Sequence, residues 1–151
     1  MMPACQLREP LSVGVLHADG ARLGPMTPPA RLRTIVVDCP EPLALAAFYR
    51  DVIGGKLRYD DGEPDWVVLE PEPGHRLAFQ QADDYNPPTW PGAERPQQFH
   101  IDLTVDDINV AEPAVLALGA RKHDVQPGEA AGEAFRVYLD PVGHPFCLCW
   151  D

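Results

Sequence analysis

In the first half of the chain, the spacing of apolar and polar positions predicts one strand, then one helix, then three more strands. Residues 32–37 form a short apolar run between prolines, which predicts a buried strand. From Leu43 to Ile53 the apolar positions have helical spacing, and Pro42 and Gly54 flank them as helix-starting and helix-ending residues. Three more strands are predicted at about residues 56–60, 65–70 and 76–81. The first half is therefore predicted to be a βαβββ unit.

The second half repeats this order of elements. Strands are predicted at residues 98–105, about 122–125, 134–139 and 145–150, with a helix at about 108–118 and a loop at 127–133. Asp107 is a predicted N-cap, because its side chain can accept a hydrogen bond from the first helical turn. Gly119 can supply the left-handed exit from this helix.

Short sequence identities indicate that the two halves are copies of one unit. Gly74-His75 recurs as Gly143-His144, a displacement of 143 − 74 = 69 residues. Val37-Asp38 before the first helix is matched by Val105-Asp106 before the second. We predict an α+β fold of two modules, about residues 31–81 and 98–150. A cleft between two similar sheets is a natural place for a small ligand.

Two segments lie outside the repeated units. Residues 82–97 join the modules and contain four prolines, which predicts a stiff loop. Tyr85 and Trp90 in this loop can cover a pocket by stacking on a flat ligand, or Trp90 can cover the edge of the core. Residues 1–26 are predicted to be an extension or the product of an upstream start codon, with the folded domain at 27–151.

Composition narrows the classes of partner. The net charge is −11, with 23 acidic against 12 basic residues, which argues against nucleic acid and allows a neutral or cationic ligand. No apolar run approaches the roughly 20 residues that cross a bilayer, so no membrane is expected. The four cysteines include no CxxC pair, which favours a reduced, cytoplasmic setting. Glycine-rich phosphate loops, serine nucleophile elbows and HExxH helices are also missing from the sequence.

Several motifs together resemble one superfamily. They are Val37-Asp38, Ala47-Phe48-Tyr49 and Ile53-Gly54 in the first module, and His100-Ile-Asp-Leu, Leu118-Gly119-Ala120 and Asp140-Pro-Val-Gly143-His-Pro-Phe in the second. They look like the vicinal oxygen chelate superfamily of glyoxalases, bleomycin-resistance proteins and extradiol dioxygenases, over about residues 31–150. Pro88-Thr-Trp90-Pro91 is similar to small actinobacterial-type glyoxalase-like domains. The resemblance implies a curved mixed sheet around a cleft, and a homodimer.

In metal-dependent members of this superfamily, ligands come from the first and last strands of each module. The four matching positions here hold Leu32 or Arg31, Ala78, His100 and Cys147. Gln80 shares a strand face with Ala78 and can replace it as an oxygen donor, and Cys147 can bind a soft metal as thiolate. We therefore expect no resident cofactor. If a divalent metal binds, His100, Gln80 and Cys147 are its expected ligands.

The resemblance leaves three functions open. The first is binding of a small organic molecule in the cleft, with isomerase or lyase activity that uses His100 as the catalytic residue. Ligand contacts are then expected from Gln80, Tyr85, Trp90, Asp102 and Cys147. Asp102 lies two residues beyond His100 and either orients its imidazole or faces solvent. The alternatives are sequestration of a cationic drug without catalysis, as in bleomycin resistance, and a metal-dependent glyoxalase or dioxygenase.

The remaining histidines and aromatic residues are expected to have structural roles. His75 and His144 each follow a glycine at a strand entry, which is typical of turn or surface positions. Five aromatic residues at strand spacing are expected to pack in the core or, for some of them, to line the cleft between the sheets: Trp66, Phe79, Phe99, Phe135 and Phe146.

Overall fold

The computed structural model describes residue 30 and residues 32–60 and 64–151, so the predicted extension at 1–26 lies outside the described residues. The elements in chain order are β1 (Ile35–Cys39), α1 (Pro42–Ile53), β2 (Lys56–Arg58), β3 (Trp66–Glu70), β4 (Leu77–Gln81), β5 (Ile101–Thr104), α2 (Ile108–Ala117), β6 (Arg121–Lys122), α3 (Pro127–Ala131), β7 (Phe135–Leu139) and β8 (Pro145–Cys149). None of the described helices is both long enough and apolar enough to cross a membrane.

The strands form two four-stranded sheets of identical topology. Their orders are β1-β4-β3-β2 and β5-β8-β7-β6. The first and last strands of each module pair in parallel, and the other neighbours pair antiparallel. Both modules thus have the predicted βαβββ order, and the predicted α+β fold is confirmed.

Both predicted helices form, with the predicted end residues. Pro42 begins α1, where its missing N–H needs no partner, and Gly54 ends the helix at φ +75°. Asp107 precedes α2 and its carboxylate accepts a hydrogen bond from the backbone N–H of Asn109 at 2.8 Å. Gly119 follows α2 at φ +108°, a conformation that other residues rarely adopt.

One hydrophobic core joins the two modules. Tyr49 on α1 stacks on Phe79 of the first sheet, with ring centroids 5.5 Å apart, and meets Phe146 of the second sheet edge-on at 6.4 Å. Tyr138 stacks on Phe146 from within the second sheet. All four rings are buried. Because one face of each sheet packs into this shared core, the opposite face of each sheet is left for other contacts.

Some element boundaries differ from the predictions. A loop was predicted at 127–133, but α3 forms there, because Pro127 begins a helical turn and the Gln126 amide bonds to the N–H and C=O of Val137. β5 begins at Ile101 rather than at residue 98, so His100 directly precedes the strand. β6 pairs over two residues only, and β1 begins three residues later than predicted.

Two of the five aromatic residues lie outside the core, and one of them, Phe99, borders a cavity. Phe79, Phe135 and Phe146 are buried, but Trp66 is 40% and Phe99 52% exposed. Trp66 points away from the core because its strand neighbour Val67 points into it, and successive strand side chains face opposite sides of a sheet. Phe99 lies before the first residue of β5 and is not held in the sheet.

Candidate functional site

The outer face of the second sheet, which is the face that points away from the shared core, carries a small apolar cluster of its own. Its members are Phe135, Val137, Cys147 and Cys149, and Trp90 packs against them. Strand alternation explains the separation, since Phe146 and Leu148, which alternate with the two cysteines along β8, face the shared core. Trp90 is fixed by His123, whose ring it meets edge-on at 5.0 Å and whose Nε2 lies 3.0 Å from the Trp90 carbonyl oxygen.

Beside this cluster lies a cavity of about 530 Å³, here called the inner cavity. Its walls come from the 82–97 loop, the segment before α3 and the second sheet, and they include Trp90, Gln97, His100, Val125, Phe135, Val137, Pro145 and Cys147. Most of these side chains are apolar, so the cavity suits an organic molecule with few polar groups. Trp90 therefore covers the edge of the apolar cluster and also borders the inner cavity.

His100, Asp102 and Cys147 come together at one end of the second sheet. Nε2 of His100 lies 3.2 Å from an Asp102 carboxylate oxygen. Asp102 and Cys147 are direct partners in the pairing of β5 with β8. The nitrogen, oxygen and sulfur ligand atoms of the three residues all lie within 4.8 Å of one another. One nitrogen, one oxygen and one sulfur donor at such spacing fit a zinc-like ion.

A second cavity of about 480 Å³, here called the loop cavity, lies on the other side of His100. It is lined by β1, the 82–97 loop and the turn before β8, including Asp38, Tyr49, Asp84, Tyr85, Arg95, Gln97, His100 and His144. Of the two aromatic residues singled out in the 82–97 loop, Tyr85 borders this cavity and Trp90 borders the inner one. His100 borders both cavities.

Beside the loop cavity lies a histidine–carboxylate pair that was not predicted from the sequence, and its histidine, His144, borders the cavity. Nδ1 of His144 lies 2.8 Å from an oxygen of Asp140, which is fully buried. The other carboxylate oxygen of Asp140 accepts hydrogen bonds from the backbone N–H groups of Val142, Gly143 and His144 at 2.8–3.0 Å. A signal was present, since Asp and His four residues apart around a Pro and a Gly can meet across one tight turn.

Two tyrosines complete the surroundings of this pair. The Tyr49 hydroxyl donates to Asp140 at 3.1 Å, and burial, followed by the negative charge of Asp140, raises the pKa of Tyr49. The ring of Tyr85 lies 5.1 Å from the His144 ring. Burial first, and Asp140 second, also raise the pKa of Tyr85. Both hydroxyls therefore stay protonated at neutral pH and are able to donate a hydrogen bond.

Gln80 is the predicted site residue that the structure places elsewhere. It is exposed on β4 and borders a surface depression with Asp65 and Trp66. Neither cavity at His100 is lined by it. The first-module position that Gln80 was expected to replace, Ala78, is fully buried and has no donor side chain. The two residues whose ligand atoms converge with that of His100, namely Asp102 and Cys147, both belong to the second module.

A family model described as "Glyoxalase-like domain" matches residues 34–149, which is both modules and the loop between them. The chain belongs to the glyoxalase-like domain family. The predicted resemblance to this superfamily is thereby confirmed. Among curated protein sequences, none matches the chain.

Solved structures show that this glyoxalase-like domain shares its fold with several proteins of known structure. A glyoxalase/bleomycin resistance protein/dioxygenase family enzyme from Burkholderia phytofirmans has a TM-score of 0.59 at 17% identity, over 80% of this chain and 98% of that one. A variant of the fosfomycin resistance protein FosX from Listeria monocytogenes, complexed with Mn(II) and a dihydroxypropylphosphonic acid, has a TM-score of 0.61 at 17% identity. This match covers 80% of this chain and 89% of that one. A glyoxalase family protein from Enterococcus faecalis has a TM-score of 0.56 at 18% identity, over 79% of this chain and 96% of that one.

Proposed function

We propose that this glyoxalase-like domain binds a small, largely apolar carbonyl compound in the inner cavity and uses His100 to move a proton on it, as isomerases and lyases do. One observation carries the proposal. His100 stands at the edge of a cavity of about 530 Å³ and is in contact with the carboxylate of Asp102. An imidazole oriented by a carboxylate and bordering an apolar cavity is a suitable general acid–base.

The contact with Asp102 assigns separate roles to the two ring nitrogens of His100. Nε2 faces the carboxylate at 3.2 Å, which leaves Nδ1 for the ligand. A proton taken from carbon turns the ring into an imidazolium, and the Asp102 carboxylate stabilises that charge. Trp90 and Phe135 supply apolar walls beside the reacting group. In this proposal Cys147 is also a wall residue of the ligand site.

Deuterium exchange tests the proposal directly. Acetophenone has a flat apolar ring and exchangeable hydrogens next to its carbonyl, so the protein in heavy water should exchange them faster than buffer. His100→Ala should lose at least about tenfold of this rate, because general acid–base catalysis contributes that much or more. His75→Ala is the matched control, since His75 is exposed and borders neither cavity. Equal rates in the wild type and His100→Ala would reject His100 as the catalytic residue.

A metal-dependent function is a second candidate, favoured by the convergence of His100, Asp102 and Cys147. These three residues would hold a divalent ion, and FosX is a protein of the same fold with Mn(II) bound. A bound ion would supply Lewis acidity toward a substrate oxygen. The two candidates differ in one prediction, which is whether metal accompanies the purified protein.

Elemental analysis separates these two candidates. The leading proposal predicts less than stoichiometric zinc, manganese, iron or nickel in protein purified without chelators, and no gain in exchange rate when these ions are added. One ion per chain that is lost in Cys147→Ala would instead support the metal-dependent candidate and contradict the metal-free one.

Sequestration of a cationic drug is a third candidate, favoured by charge. The chain carries −11, and Asp38 and Asp84 border the loop cavity. Binding of bleomycin that weakens with added salt and with Asp38→Asn would support it, because screening reduces attraction between exposed charges. Binding that salt leaves unchanged would count against it.

A further inference from the structure

The loop cavity differs from the inner cavity in its polar groups. It is bordered by His144, whose neighbour Asp140 is fully buried, and by Tyr85, and it shares Gln97 with the inner cavity. The Tyr85 hydroxyl and the Gln97 side-chain oxygen are both shielded from solvent and have no hydrogen-bond partner in the described part of the chain. A buried polar group without a partner is costly, so two of them beside one cavity indicate that a partner comes from outside the chain.

The His144–Asp140 contact sets what the imidazole can offer to a ligand. Because Nδ1 faces the Asp140 carboxylate at 2.8 Å, the neutral ring carries its hydrogen on Nδ1 and its lone pair on Nε2. No described residue forms a hydrogen bond with this Nε2. The backbone hydrogen bonds of Asp140 hold the carboxylate in place, so the ring is oriented before any ligand arrives.

The three groups offer complementary hydrogen-bonding capacity. The Tyr85 hydroxyl can donate, the Gln97 oxygen accepts, and His144 Nε2 accepts a hydrogen bond or a proton. A small molecule that pairs with the Tyr85 donor and with one of the two acceptors carries an acceptor oxygen and, close to it, a hydroxyl group. A hydroxycarbonyl compound has both groups on neighbouring carbons.

We propose that the loop cavity is a second binding site, distinct from the inner cavity, for a small hydroxycarbonyl compound whose carbonyl oxygen accepts from Tyr85 and whose hydroxyl donates to Nε2 of His144. Asp140 acts as a positioning residue, because it touches His144 and borders neither cavity. This site does not depend on catalysis at His100, since its polar contacts come from other residues.

Hydroxyacetone is the probe, as the smallest molecule with a ketone beside a hydroxyl, and acetone is its matched control without the hydroxyl. We would follow the imidazole nitrogen signals of the full chain by NMR, with the His144 signals assigned from His144→Gln. Added hydroxyacetone should shift the NMR signal of His144 Nε2, and the shift should reach saturation. Acetone should bind at least roughly threefold more weakly, because it lacks one hydrogen bond. The ligand-free spectrum should show the Nδ1–H form of the neutral ring.

Variants distinguish a specific site from weak contact with the surface. Tyr85→Phe should lower the affinity for hydroxyacetone roughly threefold to tenfold. Tyr59→Phe, at an exposed tyrosine outside both cavities, should leave this affinity unchanged. Cys147→Ala alters the inner cavity only and should leave this binding intact, so the two proposals fail separately. Equal affinity for acetone and hydroxyacetone, no saturable shift of His144, or an Nε2–H ring would each overturn the proposal.

Discussion

At the residue scale, Asp140 is the connection between the core and the loop cavity. Its two carboxylate oxygens receive five hydrogen bonds, from three backbone N–H groups, from Tyr49 and from His144. The corresponding residue of the first module, Glu70, instead forms ion pairs with Arg58 and Arg76 at the surface. The matching acidic residues of the two modules thus differ in burial and in their partners.

The Tyr49 hydroxyl tests how much this connection stabilises the protein. Tyr49→Phe removes one donor to a buried carboxylate and keeps the ring that packs on Phe79. We expect a loss of about 1.5 kcal/mol in the free energy of unfolding, measured by urea denaturation, because the bond involves a charged acceptor. Tyr59→Phe serves as the control, and a loss no larger than the control's would contradict the role given to Asp140.

The lowered pKa of Glu112 makes the free energy of unfolding depend on pH. Burial alone would raise its pKa, but a hydrogen bond from Tyr138 and the charges of Arg136 and Lys122 lower it overall. A carboxyl whose pKa is lower in the folded than in the unfolded chain stabilises the fold above its unfolded pKa. That stabilisation is lost as the pH falls through the folded pKa.

Glu112→Gln should therefore cost about 1 kcal/mol at about pH 7 and clearly less at about pH 3. Urea denaturation at both pH values measures this difference. Glu94→Gln, in the exposed part of the 82–97 loop, is the matched control and should show neither effect. A cost that stays the same at both pH values would show that the hydrogen-bond geometry of Glu112 matters rather than its charge.

Residue positions in the site were only partly predictable from the sequence. His100, Asp102 and Cys147 were predicted because superfamily positions and strand alternation place them on one face, and the structure brings them together. Gln80 was misplaced because the alternation that puts it on the face of Ala78 does not say which sheet that face meets. His144 was assigned a turn role, since its contact with Asp140 depends on the side-chain geometry of a single turn.

At the element scale, periodicity and end residues located both long helices and nearly all strands. The predictions succeeded where several signals agreed, as at α1 with its apolar stripe, Pro42 and Gly54. They failed where tertiary contacts decide, as at α3, whose five residues are too short for a helical period to be visible. The late start of β5 has the same origin, because an apolar run alone does not fix the residue at which pairing begins.

The turn between β7 and β8 gives a test at this scale. Gly143 has φ +100°, and a Cβ added there would lie 2.8 Å from Cβ of Pro87 in the 82–97 loop. Gly143→Ala should destabilise the fold by about 3 kcal/mol, through backbone strain and displacement of that loop. Thermal and urea denaturation measure the change.

Gly132→Ala is the matched control for this prediction. Gly132 also has a positive φ, of +72°, but a Cβ there would meet no atom within 4 Å. We expect it to cost about 1 kcal/mol, from backbone strain alone. Equal losses in the two variants would show that the loop does not pack against the turn as described.

At the scale of the whole molecule, the two modules share one core but differ in how their outer faces are covered. The outer face of the second sheet is covered by Trp90 and its loop, whereas Val36 and Trp66 on the first sheet are 37% and 40% exposed. The superfamily resemblance implies a homodimer, and we propose that a second copy of the chain covers this exposed face.

Sedimentation velocity tests the dimer. The wild type should sediment as a dimer, and Trp66→Glu should shift it toward monomer, because a buried charge without a partner opposes association. Val110→Glu changes an exposed apolar residue on α2 and should leave the dimer unchanged. A monomeric wild type, or equal dissociation by both variants, would contradict the proposed surface.

The most direct test of the proposed function is a crystal structure of the full chain soaked with acetophenone. We predict ligand density in the inner cavity, with the ring against Trp90 and Phe135 and the carbonyl group beside the His100 imidazole. Density confined to the surface, or an inner cavity filled by the protein's own side chains, would contradict the proposal that this cavity is the ligand site.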